Sequence, residues 1–206
     1  MDSARKEILE RLQNTGRVKS PPVKPDFSSP IYNPLEESLP QMFKNKLESL
    51  GGNAYLCENE QQLFEELNNL IANNWTNIYC KESSLQQKLS GHNVPFKPCE
   101  GIPDNIEAGI TGCECLVAHL GSIVVSSAQE SGRKMFVYPP IHIIIAEACQ
   151  IVGYLEDAYL FISDKYKKGL PSLITTITGP SRTADIEKTL IIGMHGPKEV
   201  HVFISK

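Results

Sequence analysis

The sequence has no apolar run approaching the roughly 20 residues that span a bilayer as a helix. It also has no start resembling a secretory signal: MDSARKEILERLQ is charged and amphipathic, not basic and then apolar. A soluble, cytoplasmic protein is the expectation. Basic excess is missing too. Twenty Lys and Arg stand against 24 Asp and Glu, a net charge of −4, which gives no support for a nucleic-acid or anionic-membrane surface. G-x-S-x-G is absent and no Ser-His-Asp order can be assigned. Walker A is absent, and the glycine turns present are too common to indicate a dinucleotide. The six cysteines, Cys57, Cys80, Cys99, Cys113, Cys115 and Cys149, include no CxxC and lack the spacing of an iron–sulfur ligand set. In a chain large enough for a real core, free thiols are expected. Cys113-x-Cys115 is the one close pair. On a strand, i and i+2 point the same way, so both thiols can face one site; buried, inert cysteine is the competing reading. No metal site is assigned.

What is present is the content of an ordinary globular domain: 206 residues, 41% hydrophobic and 21% charged. Residues 2–13 put Ala4, Ile8, Leu9 and Leu12 on one helical stripe. Residues 14–40 then carry six prolines from Pro21 to Pro40, which predicts an extended arm. The division expected is an N-terminal helix and Pro-rich arm over 1–40 and a folded domain over 41–206. A helix is predicted from Leu39 to Leu50, stopped by Gly51-Gly52, then a strand at NAYLC (53–57). Asn59 and Gln62 form a capping pair before Leu63, Phe64, Leu67, Leu70 and Ile71 at helical spacing. NIYCKE (77–82) reads as a strand, followed by a short helix capped by Ser83 or Ser84 and ended by Gly91. This alternation predicts a parallel sheet with crossover helices. Residues 109–127 and 133–147 are rich in β-branched residues and predict several strands. A helix at 151–167, a strand at 173–179, a helix from Thr183 to Leu190 and a strand at 199–205 complete a three-layer α/β domain with a mixed sheet.

The richest candidate site is the turn after the strand at 173–179. Gly179 allows close backbone approach. Pro180, Ser181, Arg182 and Thr183 follow, with Asp185 in the expected first helical turn. Ligands of α/β sheets bind beyond strand carboxyl ends. A helix N-terminus there offers free N–H groups, and Arg182 offers a donor fork for carboxylate or phosphate. The bland alternative is that Ser181 or Thr183 is only a cap, Asp185 a favourable first-turn charge and Gly179-Pro180 only a turn. His195, in His195-Gly196-Pro197, is a candidate acid/base in the turn before the last strand. A second candidate is Ala118-His119-Leu120-Gly121-Ser122, where His119 is a possible acid/base and Gly121-Ser122 can contact a ligand. His142 reads as a packed or edge residue.

TGPSRTADIE, a short apolar segment, then G-x-HGP and a closing strand resembles the C-terminal signature of LUD domains, in particular the lactate-utilisation protein C branch. ITGCECLVAHLGSIVVSS and YPPIHIIIAEACQIVGYLEDAY are similar to upstream segments of that family, so the resemblance covers about residues 105–206. It implies a fold like the NagB/RpiA/CoA-transferase group and a part in oxidising L-lactate to pyruvate. It also implies partner subunits that carry the iron–sulfur clusters, with no cofactor in this chain. One position departs from the family. An acidic residue and Thr often precede the glycine, where this chain has His119 and Leu120. A histidine cannot form the acyl-glutamate anhydride of CoA transferases, and Glu114, five positions before His119, cannot be assumed to substitute.

Three functions follow for test. The resemblance implies a cluster-free accessory or regulatory subunit with a small-anion site. The wider fold group implies a stand-alone enzyme on a phosphate- or CoA-containing molecule. The bland reading is an interaction protein whose glycines and caps are structural.

Overall fold

The computed structural model describes residues 2–14, 32, 34, 35, 37–183 and 191–206. The chain divides into two units, residues 1–34 and 35–206. In the first, helix α1 spans Asp2–Asn14. Its Arg11 and Glu7, one turn apart, pair at 2.9 Å. Most of the expected arm, residues 15–31, lies outside the described residues.

The second unit runs α2 (Leu39–Ser49), β1 (Asn53–Cys57), α3 (Glu60–Ala72), β2 (Ile78–Cys80), α4 (Ser83–Gly91), β3 (Lys97–Pro98), β4 (Ala108–Thr111), β5 (Cys115–Val117), β6 (Ser122–Ser126), α5 (Gly132–Met135), β7 (Ile141–Glu147), a 3-10 turn (Ala148–Gln150), β8 (Ile151–Val152), α6 (Leu155–Lys165), β9 (Ile174–Ile177), β10 (Arg182–Thr183), β11 (Ile191–Ile192) and β12 (Glu199–Ser205). Local chemistry explains several boundaries. Asn59 accepts the Gln62 N–H at 2.9 Å and opens α3. The Gln62 side chain accepts the Glu58 N–H at 2.8 Å, so two backbone donors at the entry to α3 are satisfied.

Six strands form a wholly parallel sheet in the order β1-β12-β7-β4-β2-β3. β7 shows why it is central: six of its seven residues are buried, as a two-sided parallel strand requires. Ile141, Ile143 and Ile145 pack with Leu63, Phe64 and Leu67 of α3 and Leu89 of α4. Ile144 and Ala146 point the other way, towards Phe43 and Leu47 of α2 and a second sheet. That sheet has the order β8-β5-β6-β9, with β5–β8 parallel and β5–β6 and β6–β9 antiparallel.

The α/β reading holds, and mixed pairing is confined to this smaller sheet. The β5–β6 hairpin is apolar on both faces, so it needs cover on both sides. Leu116 and Ile123 pack towards the parallel sheet. Cys115, Val117 and Val124 pack against Ala158 and Ile162 of α6. Helices α3 and α4 thus cover one face of the parallel sheet, α2 and the smaller sheet cover the other, and α6 covers the far side of the smaller sheet.

Other expectations are corrected in detail. The helix expected over 151–167 begins at Leu155, because Ile151 and Val152 pair with β5; Asp157 accepts the Tyr154 N–H at 2.9 Å and fixes that start. Glu82, not Ser83 or Ser84, holds the N-cap position of α4. The helix expected from Thr183 does not begin there. Arg182 and Thr183 pair antiparallel with Ile192 and Ile191, so the segment enters a hairpin stem. Residues 184–190 lie outside the described residues. Cys113 and Cys115 do not share a face: Cys113 precedes β5 and packs between the sheets, while Cys115 packs under α6.

Candidate functional site

The carboxyl ends of the parallel strands form a step: Cys57, Ser205 and Glu147 are level, while β4 stops opposite Ile144 and β2 opposite Ile110, and a cleft of about 220 Å³ opens over the ends of β2, β4, β7 and β12. This is the position where open α/β sheets hold ligands. The first turns of α3 and α4 form one wall through Glu60, Leu63, Ser84 and Leu85. Gly112 and Cys113 follow β4, Glu147 ends β7 and Ser205 ends β12.

Glu82 stands at the end of β2 and accepts the Gly112 N–H at 3.0 Å. Burial raises its carboxyl above the ordinary carboxylate value, against the opposing pull of that hydrogen bond. A buried chain supports the Gly112 peptide from behind. The Thr111 hydroxyl donates to the Gly112 carbonyl at 3.0 Å and lies 2.8 Å from His142 Nε2. With the hydroxyl proton so placed, Nε2–H of His142 is the donor and Nδ1 the bare acceptor. Nδ1 is buried without a hydrogen-bond partner among the described residues, and burial pushes the His142 pKa down to about 3. His142 is therefore a neutral core residue, as its sequence context suggested.

Lys88 crosses the rim. It lies 3.2 Å from Glu60 and 3.6 Å from Glu147. Gln150 fixes the opposite edge: its side chain accepts the Glu147 N–H at 2.8 Å and donates to the Cys113 carbonyl at 2.9 Å. None of these residues stood out in the sequence. The available signal was position: Glu82, Gly112 and Glu147 each fall where an apolar strand run ends.

The residues chosen from the sequence gather elsewhere. Gly121 (φ 63°) and Gly179 (φ 80°) both press on the last turn of α2. A Cβ at Gly121 would lie 2.4 Å from the Leu47 nitrogen, and one at Gly179 would lie 3.1 Å from the Leu50 carbonyl oxygen. Ser122 and Thr178 share a hydroxyl hydrogen bond of 2.8 Å. Arg182 donates to the Leu50 carbonyl. The glycines thus admit a helix C-terminus, and Arg182 places a cation where the helix dipole favours one. Pro180 leads into the hairpin. The Ser181 N–H donates to Pro197 at 2.8 Å, and its carbonyl accepts from Gly193 at 2.9 Å. Thr183 lies in the stem, and Asp185 falls outside the described residues. His195 lines a separate cleft of about 530 Å³ with Tyr138, Met194 and Lys198, beside the amino ends of β7 and β12. His119 lies at the β5–β6 turn against Tyr154, with ring centroids 5.5 Å apart. The two acid/base candidates, His119 and His195, are thus not joined in one described cleft.

Glu114 is used structurally. Its buried carboxylate accepts from Ser126 at 2.6 Å, Lys165 at 2.7 Å and Tyr166 at 2.8 Å. Burial alone would raise its pKa; the hydrogen bonds outweigh this and hold it below the ordinary value. These contacts fasten the end of α6 to the smaller sheet.

A LUD domain family model matches residues 103–205, which contain β4 through β12. A Lactate utilization protein C of Geobacillus sp. strain WCH70 is 31% identical over 133 residues, covering 64% of this chain and 53% of that protein. The Lactate utilization protein C of Bacillus subtilis strain 168 is 35% identical over 105 residues, 50% of this chain and 44% of that protein. An uncharacterized protein of Neisseria meningitidis serogroup B is 32% identical over 96 residues, 47% and 41% of the two chains. The chain thus spans about half the length of the curated relatives it matches. The crystal structure of a DUF162 family protein from Deinococcus radiodurans superposes with a TM-score of 0.61 over 84% of this chain and 100% of that one, at 18% identity. That likeness is one of fold. With the family model covering half of its residues, the chain belongs to the LUD domain family.

Proposed function

We propose that this chain takes part in lactate utilisation as a cluster-free accessory or regulatory subunit, beside partner subunits that carry iron–sulfur clusters. The observation that carries the reading is the identity of 31% and 35% to proteins named Lactate utilization protein C. Of the six thiols, Cys57 and Cys80 lie in one core cluster, Cys113 in a second and Cys115 in a third.

In this reading a small anion such as a carboxylate binds at the turn from Pro180 to Thr183, with Asp185 and His195 nearby in the chain; Gly121, Ser122 and Gly179 are buried and shape that turn against α2. Arg182 gives one N–H to Leu50, and its guanidinium has further donors for a carboxylate. The stand-alone enzyme acting on a phosphate or CoA compound has less support, because Glu60, Glu82 and Glu147 outnumber Lys88 in the carboxyl-edge cleft and repel such a substrate.

Reconstitution tests the proposal. L-lactate oxidation by the iron–sulfur subunits is measured with and without this chain, at limiting subunit concentration. A higher rate with the chain is expected. The same rate in both mixtures overturns the assignment.

A further inference from the structure

The carboxyl-edge cleft has a composition that selects its ligand. Its walls are partly apolar, through Leu63, Phe64, Leu85 and Ile145, as small-molecule sites are. Among its charged groups three carboxyls, Glu60, Glu82 and Glu147, stand against one ammonium, Lys88. Glu82 is pinned from one side by the Gly112 N–H, while Glu60 and Glu147 stand at the rim with Lys88 between them. The single lysine is thus shared by two carboxylates and is not free to hold an anion. The Gln150 side chain is committed at both ends, to the Glu147 N–H and the Cys113 carbonyl. Even with Glu82 protonated, two carboxylates face one ammonium.

We infer that this cleft is a binding site for a small, donor-rich molecule without net negative charge, an amine or a polyol, anchored by the Glu82 carboxyl group. Three features combine in the inference: a partly open cleft beyond the strand ends, a carboxyl oriented by backbone, and an excess of carboxyl groups over ammonium groups. Glu82 receives an ammonium or hydroxyl of the ligand, and Glu60 and Glu147 receive further donors once Lys88 swings aside. The site is distinct from the hairpin surface proposed for an anion. It also stands independently of the lactate reading, because reconstitution can fail while this cleft still binds.

The test uses the full chain, labelled with 15N, and three probes: ethanolamine, D-ribose and L-lactate. Ethanolamine or D-ribose is expected to shift the amide resonances of Gly112, Cys113 and Glu147 saturably, while L-lactate leaves them in place. Glu82→Gln is expected to weaken ethanolamine about ten-fold, the loss of one charge-assisted hydrogen bond. Lys88→Met, a change at a half-exposed rim position, keeps the assay informative if Glu82→Gln misfolds. It is expected to tighten ethanolamine several-fold by releasing two carboxylates. No saturable shift with either ethanolamine or D-ribose overturns the inference. So do an equal response to L-lactate and weaker or unchanged ethanolamine binding in Lys88→Met.

Discussion

The guanidinium of Arg182 donates to the carbonyl oxygen of Leu50, the residue that closes α2. An exposed cation at a helix C-terminus contributes about 0.3–1 kcal/mol, less in high salt. Arg182→Ala is therefore expected to lower the unfolding free energy by about that amount in denaturant titrations at low ionic strength. Arg182→Lys should retain most of it. The same variants address the anion proposal separately. If Arg182 also receives a carboxylate through a donor fork, Arg182→Lys loses L-lactate affinity while keeping stability. Parallel losses in both measurements would leave the anion role without support.

Glu114 joins the smaller sheet to α6 through Ser126, Lys165 and Tyr166. Removing one partner of a buried pair commonly costs about 3–5 kcal/mol. Lys165 is 48% exposed and returns to water, so Glu114→Ala is expected to cost less, about 2–3 kcal/mol. The pH dependence has a fixed sign. The Glu114 pKa is lower in the folded protein, so its contribution is present above the ordinary carboxylate value of 4.5 and lost as pH falls through the folded value. Denaturant titrations from pH 6 down to pH 3 should show this loss in the parent protein and a shallower one in Glu114→Gln.

Much of the frame was legible in the sequence because single local signals govern it. Asn59 with Gln62 and the spacing of Leu63, Leu67 and Ile71 determine α3, and the apolar run of 199–205 determines β12. The segment after Gly179 was not legible in this way. Ser181, Thr183 and Asp185 carry helix-cap chemistry, yet Arg182 and Thr183 pair with Ile192 and Ile191, a contact set by residues further along the chain. The cleft was hidden for a similar reason. Glu60, Glu82 and Glu147 are far apart in sequence and meet only because parallel strands end on one edge. Gly121 and Gly179 were recognisable as sites of close approach, but the sequence did not reveal that the approaching group is α2.

His142 gives a second pH dependence, at higher pH than Glu114. Burial depresses its pKa from 6.5 to about 3. A histidine that stays neutral when folded and protonates when unfolded loses stability as pH falls below 6.5, continuing towards the folded value. The slope is at most that of one proton bound per pH unit. Thermal unfolding between pH 7 and pH 5 should show this decline, and His142→Gln should reduce it, leaving the share of His201, whose pKa burial also lowers. A parent protein equally stable at pH 7 and pH 5 would refute the buried neutral histidine.

Gly121 and Gly132 separate the effect of backbone conformation from that of close packing. Both have positive φ, 63° and 66°. A Cβ at Gly132 meets nothing within 4 Å, whereas one at Gly121 would lie 2.4 Å from the Leu47 nitrogen and 2.7 Å from the Lys46 carbonyl carbon. Gly132→Ala should cost about 1–2 kcal/mol, the strain of an alanine in the left-handed region. Gly121→Ala carries that strain and must also push the backbone of α2 outward, adding about 1–3 kcal/mol. Chemical denaturation of the two variants gives the difference directly. Equal losses would mean that α2 yields freely at Leu47. A larger loss at Gly121 would establish that the hairpin turn and the end of α2 are held against each other, the contact on which Arg182 and Gly179 also converge.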